Sequence, residues 1–394
     1  MIGGIKKIGE FVRKETVLTV ALLLAVISAF IVPPDSAYVD YIDFRTLAIL
    51  FCLMTVVAGF SQQGMFGIIA KSMINRMGSL RAVTIVLIFM CFFFSMFITN
   101  DVSLITFVPM TLTVLGMAGE EVLTRWMVPV ITLQTIAANL GSMLTPIGNP
   151  QNLYLYSYYG LHLGDFLRTM ALPFALSTAG VVACTWWLCG HSDCNDSRSD
   201  THNTTAPMPL SRRSLVAYGL LLALTLLAVF HIVPIAAAVV IVAATLAALD
   251  RRALVAVDWG LLATFACFFV FAGNMARVPE VSAWLSPLMA DHGLLVSAGL
   301  SQIISNVPAA VLLSHFAGAW QPLLIGVNIG GAGTLVGSLA SLITLQHFTS
   351  VRKVFPQTAA LPELSTSRFL ILFSVLNFAF LAILLIACGM TSFF

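Results

Sequence analysis

One ten-residue phrase is written twice in a chain that is apolar almost throughout. Residues 139–148 read NLGSMLTPIG and residues 328–337 read NIGGAGTLVG. Both fit Asn-(Leu/Ile)-Gly-(Ser/Gly)-x-x-Thr-x-(Ile/Val)-Gly, at an offset of 189 residues (328 − 139) in a chain of 394. Hydrophobic side chains make up 59% of the residues and charged ones 9%, where soluble domains carry roughly 25% charge. Mean hydropathy is +0.98. No single buried core absorbs that much apolar surface, so the bilayer must be the solvent. A duplicated phrase in such a chain points to a transporter of two repeats, with its site where they meet.

Net charge is +2 and there is no basic tract, which argues against a nucleic-acid partner. The N-terminus MIGGIKKIGEFVRKE leads into an apolar run at 16–33 that is long and lacks a small-x-small cleavage site; it reads as a membrane helix. Most of the seven cysteines lie in apolar runs, where a thiol behaves as a small hydrophobe. Cys189, His191, Cys194 and His202 share one polar stretch, but their spacing matches no zinc pattern, and a solvated loop with no tightly bound metal is expected there.

Spanning segments are expected near 16–33, 44–60, 81–98, 126–145, 166–188, 214–232, 234–249, 258–273 and 368–390. The stretches 100–118, 293–313 and 321–345 are apolar but interrupted by Gly, Pro, Asn and Ser. Broken segments at membrane depth survive only where protein or a water-filled cavity covers their freed backbone groups, so the breaks point at the site. Lys6, Lys7, Arg13 and Lys14 place the N-terminus in the cytoplasm, and the acidic loop 34–43 outside. Lys71, Arg76, Arg81, Arg251, Arg252, Arg352 and Lys353 fall inside, and the C-terminus outside. Loops matched between the halves take opposite sides, which predicts inverted repeats. The domain reading is 1–189 for the first repeat, 190–213 for a polar cytoplasmic linker, and 214–394 for an extra span plus the second repeat. Two glycosylation sequons, at Asn195 and Asn203, fall in that linker and are discounted on the cytoplasmic side. Arg277, near a membrane end, is expected to snorkel.

A second signature precedes each copy of the phrase. It is Thr99-Asn100-Asp101 in the first half and Ser305-Asn306-Val307 in the second. Polar side chains in apolar runs are costly and face a cavity or a partner. Hydroxyls, amide oxygens and freed carbonyls suit a small hard cation, while N-termini of broken helices offer N–H groups to an anion. Capping explains one such Asn well, but two in matching positions less well. Candidate binding residues are therefore Thr99, Asn100, Asp101, Ser305 and Asn306 at the tips, with possible sodium at Asn100 and Asn306. Asn139, Gly141, Thr145, Gly148 and Asn149 join them from the first phrase and its flank, and Asn328, Gly330, Thr334 and Gly337 from the second. Small residues also pack membrane helices together, so the glycines have two readings. Asp101 is the only charge between Arg81 and Glu120, and suits a proton carrier or a sodium ligand. No P-loop and no nucleophile or metal set of an intramembrane enzyme is apparent, so no enzymatic activity is expected.

The blocks TNDVSLITFVP, NLGSMLTPIGNPQN, SNVPAAVLL and GVNIGGAGTLVGSLASL together resemble the ion transporter superfamily, over roughly 16–390. Its members include arsenite permeases, citrate transporters, divalent anion/sodium symporters and one family of sodium/proton antiporters. The resemblance implies an all-α polytopic protein of two inverted repeats with re-entrant hairpins. It implies an elevator mechanism, no cofactor, a sodium or proton coupling ion, and a homodimer in the cell's inner membrane. In the divalent anion symporters each tip carries Ser-Asn-Thr; here Asp101 and Val307 replace the third residue, and Asn-Asp looks more like the arsenite permeases. The function expected is ion-coupled transport of a small anion or oxyanion, of di- or tricarboxylate type or inorganic. The alternatives are proton-coupled arsenite/antimonite efflux, with a separate ATPase subunit as a possible partner, and sodium/proton antiport.

Overall fold

A computed structural model describes residues 15–74, 76–77, 79–190, 212–354 and 364–391. Every regular element among them is helical. In hydrocarbon the backbone must satisfy its own N–H and C=O groups, and long Leu-, Ala-, Val- and Phe-rich runs do so as helices. Among the described residues, six helices are long and apolar enough to cross a membrane.

In the first half, α1 (Thr16–Ile31), the short α2 (Tyr38–Tyr41), α3 (Phe44–Gln62) and α4 (Met65–Ile74) lead to a hairpin of α5 (Leu80–Ile98) and α6 (Asn100–Met117). Next, α7 (Glu120–Ser142) and α8 (Pro150–Tyr158) flank a non-helical break, and α9 (Leu163–Gly190) follows. After α10 (Arg212–Val229) come α11 (Ile235–Leu249), α12 (Arg251–Val255) and α13 (Trp259–Ala276). A second hairpin, α14 (Pro279–Ile304) and α15 (Asn306–Ser314), precedes α16 (Trp320–Ile329). A second break holds a 3-10 turn (Leu335–Gly337), then α17 (Leu339–Val354) and α18 (Thr366–Thr391) complete the described chain.

Local devices recur between the halves. Asp43 caps α3 by accepting from the Thr46 N–H, and Asp258 caps α13 by accepting from the Leu261 N–H, with backbone angles of −75°/84° and −75°/83°. Contacts between the halves recur with roles exchanged. Helix α1 packs on α13 and α11 on α3; α6 packs on α17 and α15 on α8; α7 packs on α18 and α16 on α9. Large apolar side chains on the periphery, such as Phe30, Val240 and Ile383, are well exposed, as contact with lipid requires.

The stretch 126–145 is a single helix, α7, as far as Ser142, and α7 is buried from Met127 onward except at Pro129, because α5, α6, α9, α17 and α18 surround it. The structure changes two expectations. The 100–118 run is one continuous helix, and its break sits just before it, at Thr99. Arg277 does not simply snorkel: it pairs with Asp35 at 2.8 Å and donates to the Tyr41 hydroxyl at 2.9 Å. That guanidinium holds the exposed Asp35 carboxyl below its usual range. Most of the 190–213 linker, with His191, Cys194, Asn195, His202 and Asn203, lies outside the described residues, as do Lys6, Lys7, Arg13 and Lys14.

Candidate functional site

Each hairpin turns on a single residue. Thr99 has φ 73° and ψ 154°, and Ser305 has φ 76° and ψ 155°. That region is essentially reserved for glycine and costs a side-chain-bearing residue about 1–3 kcal/mol. The turn puts Asn100 and Asn306 at the first positions of α6 and α15, each 4% exposed. At the first tip the Asn100 N–H donates to the Gly148 carbonyl at 3.1 Å, and Nδ2 donates to Asn139 Oδ1 at 3.0 Å.

The breaks hold the tips in place by the same bond twice. Thr145 Oγ1 donates to the Met96 carbonyl at 2.5 Å, and Thr334 Oγ1 to the Gln302 carbonyl at 2.8 Å. Met96 and Gln302 each stand three residues before their tip residue, Thr99 or Ser305. Between the halves, Asn149 Nδ2 donates to Asn328 Oδ1 at 3.0 Å, and Ser338 Oγ donates to Asn139 Oδ1 at 2.9 Å. By the 189-residue offset, Ser338 is the counterpart of Asn149 and Asn328 that of Asn139. Asn328 Nδ2 also donates to Asn152 Oδ1 at 2.6 Å, and Asn139 Nδ2 to the Gly331 carbonyl at 3.2 Å. Asn152 in turn donates to the carbonyls of Met143 and Thr145. All these amides are buried, where an unpaired one costs about 1–3 kcal/mol.

The phrase glycines set backbone approach. A Cβ on Gly141 would lie 2.2 Å from the Phe92 carbonyl oxygen, and one on Gly148 2.0 Å from that of Ser142. Gly330 and Gly337 are similarly closed in by Ser301 and by the Gly330 carbonyl. Gly331 sits between the two tips' partners: its Cβ would lie 3.1 Å from Asn306 Nδ2 and 3.9 Å from Asn139 Cγ. Both tips thus converge on one amide-rich core.

A cavity of about 240 Å³ opens beside the first tip. Thr99, Asp101 and Ile105 line it from the hairpin, Asn149 from the cap of α8 and Leu153 from α8 itself, Leu53 and Ser61 from α3, and Asp258 from the cap of α13. Among the described residues that line it there is no Lys, Arg or His. Asp101 Oδ1 is shielded from solvent and has no hydrogen-bond partner. Of the sequence candidates, Thr99, Asp101 and Asn149 line the cavity; Asn100, Asn139 and Asn328 join through hydrogen bonds; Ser305 and Asn306 do not line it, and Asn306 Nδ2 lies against Gly331. Sequence reasoning missed Ser338, Gln302 and Asp258. The signal for Asp258 was present: Asp258-Trp259 echoes Asp43-Phe44, an acid before an aromatic at each helix start. Among the described residues no group of three or more His, Cys, Asp or Glu gathers as a metal set.

Apolar helices interrupted at two breaks, with amide-bearing hairpin tips meeting in a polar core, form the construction of a secondary transporter in a membrane. The comparisons agree and give the family. The chain belongs to the citrate transporter family, whose model matches residues 8–325. It is 32% identical over 330 residues to the inner membrane protein YbiR of Escherichia coli, covering 82% of this chain and 86% of that one. It is 31% identical over 336 residues to an uncharacterized transporter of Methanocaldococcus jannaschii, covering 84% and 87%. A shorter match, 32% over 174 residues, links 43% of this chain to 20% of the P protein of Mus musculus.

Proposed function

We propose that the protein is an ion-coupled secondary active transporter of a small anion or oxyanion, built as two inverted repeats and working by an elevator mechanism in the cytoplasmic membrane. The observation that carries this reading is the exchanged pair of bonds, Asn149 to Asn328 and Ser338 to Asn139. A hydrogen bond repeated with its halves swapped is what a pseudo-two-fold axis produces. The exchanged helix contacts and the equal tip angles support the same axis.

The tips supply two chemistries. The N-termini of α6 and α15 offer N–H groups and the positive end of a helix dipole to an anion. The hydroxyls of Thr99 and Ser305 and the amide oxygens of Asn100 and Asn306 suit the coupling cation. Asp101 carries the coupling proton or helps hold sodium. Helices α5–α8 and α14–α17 form the moving unit, tied internally by the polar bonds above. It slides on the apolar wall that Leu53 of α3 and Leu153 of α8 share. The remaining helices serve as scaffold and homodimer surface. The name of the Escherichia coli relative supports the inner membrane. The Lys and Arg distribution supports a cytoplasmic N-terminus, and the tip cavity, close in sequence to Arg251 and Arg252, then opens inward.

The test is a solid-supported-membrane current from proteoliposomes. Citrate, succinate, sulfate, phosphate and arsenite are offered under sodium or proton gradients, to wild type and Asp101→Asn, with a pH-dye assay for electroneutral exchange. A substrate signal that needs a proton gradient and vanishes in Asp101→Asn makes Asp101 the coupling residue. A sodium-driven signal that survives the change moves coupling to Asn100 and Asn306. A response to arsenite alone selects metalloid efflux, and cation exchange with no anion present selects antiport. No response in either assay would overturn the transport reading.

A further inference from the structure

The two tips share a backbone but not their hydrogen bonds. At the first, the Asn100 N–H donates to the Gly148 carbonyl at 3.1 Å, the Asp101 N–H to Asn100 Oδ1 at 3.0 Å, and Asn100 Nδ2 to Asn139 Oδ1 at 3.0 Å. At the second tip Asn306, Val307, Gly337 and Asn328 stand in the corresponding places, and none of these three bonds forms among the described residues. Asn306 accepts from Ser305 Oγ at 3.4 Å through Oδ1. Its N–H, its Nδ2 and the Val307 N–H have no partner among the described residues, although Asn306 is 4% exposed and Val307 7%. A helix start ordinarily spends such groups on a cap or on water, and buried ones left unspent are costly.

Room is left beside these donors. Gly331 stands where the first copy of the phrase has Ser142, whose Oγ there accepts from Asn149 Nδ2 at 3.1 Å. A Cβ on Gly331 would come within 3.1 Å of Asn306 Nδ2, so the missing side chain leaves space against that nitrogen. Unlike Asp101 Oδ1, Asn306 Nδ2 is not sealed from solvent. Charge points the same way. Asp101 puts a carboxylate at the second position of α6, where it satisfies the positive end of that helix and repels an anion; Val307 puts none on α15.

We propose that the second tip alone receives the anionic group of the substrate, a carboxylate or oxyanion, on the N–H groups of Asn306 and Val307 and on Asn306 Nδ2. This rests on the anion-transport reading above and narrows it. The first tip spends its donors within the protein, so a second carboxylate on the same molecule finds no matching donors at α6. Convergent N–H groups at a helix start are the chemistry that holds such an anion.

Binding is read apart from transport, by thermal unfolding of the full chain in detergent against the sodium salts of acetate, phosphate, sulfate and citrate, with sodium held constant by its chloride. Asn306→Leu removes the amide and breaks only the bond from Ser305, so it should fold. Gly331→Ala fills the space beside Nδ2 and is the second variant at this tip. Asn100→Leu, which takes an acceptor from the Asp101 N–H and a donor from Asn139, is the comparator at the first tip. Wild type is expected to gain stability with at least one of the four anions. In Asn306→Leu and Gly331→Ala the midpoint for that anion rises about tenfold or more, the worth of one hydrogen bond to a charged group. Asn100→Leu is expected to unfold at a lower temperature and to move the midpoint far less. An unchanged midpoint in Asn306→Leu overturns the proposal, and so does an equal rise in Asn100→Leu or a wild type that responds to none of the four. If Asn100→Leu does not fold, the two variants at the second tip decide. Substrate currents with an unchanged Asn306→Leu midpoint remove this seat alone, whereas silent currents beside an intact anion response remove the transport reading.

Discussion

At the scale of single residues, the site is a problem of pairing buried amides. Asn149 serves twice: Oδ1 caps α8 by accepting from the Asn152 N–H, and Nδ2 bonds Asn328. Asn149→Ala removes the cap, worth about 1 kcal/mol, and strands Asn328 Oδ1 at a further cost of about 1–3 kcal/mol. Asn328→Ala strands Asn152 Oδ1 and removes one of the two bonds that Asn149 Nδ2 donates, leaving the one to Ser142 Oγ. Residues in direct contact couple by about 0.5–3 kcal/mol, so the double variant should lose less than the sum of the singles. Thermal unfolding of the four proteins in one detergent checks this, and strictly additive losses would mean that the amides act separately. Asn149 and Asn328 were legible in the sequence because they stand in or beside the repeated phrase. Ser338 was not, because at that position the second half uses a hydroxyl for the role an amide fills in the first. Pattern matching sees residue identity, whereas the fold needs only a donor of the right reach.

At the scale of elements, the hairpin tips carry the strain. Thr and Ser avoid positive φ, so nothing in Ile98-Thr99-Asn100 or Ile304-Ser305-Asn306 announces the backbone they adopt. Sequence could say that a break lay near each Asn; it could not place the 100–118 break before its first residue. Nor could hydropathy tell that α7 faces protein rather than lipid, since both environments select the same apolar side chains. The strain gives a direct test. Ser305→Gly relieves about 1–3 kcal/mol and adds back about 0.4–1 kcal/mol through a freer unfolded chain, for a net gain. The variant should unfold at a higher temperature than wild type, while tracer uptake falls at least tenfold for want of the hydroxyl. Thr99→Gly should behave alike. A tip glycine that leaves uptake intact would reduce the hydroxyl to a turn-former.

At the scale of the whole molecule, opposite loop charges in matched positions predict inverted halves, and the exchanged packing of α1 on α13 and α11 on α3 is what such halves would make. Motion is a separate matter that no charge pattern encodes. The polar bonds lie within the proposed moving unit, such as Asn100 to Asn139 and Thr135 to Thr344, while the α3–α8 contact around the cavity is largely apolar. Directional bonds resist sliding and apolar contact does not, so the boundary of least resistance runs between α3 and α8. Cysteines at Leu53 and Leu153, which line the cavity from those two helices, tie the units together across that boundary when the seven native cysteines have been replaced. Bridging by mercuric ion is expected to stop substrate-driven current in the double variant, to spare both single variants, and to be reversed by excess dithiol. Full turnover in a protein shown by mass to be bridged would mean that α8 never leaves α3. The tips alone would then have to open and close the path.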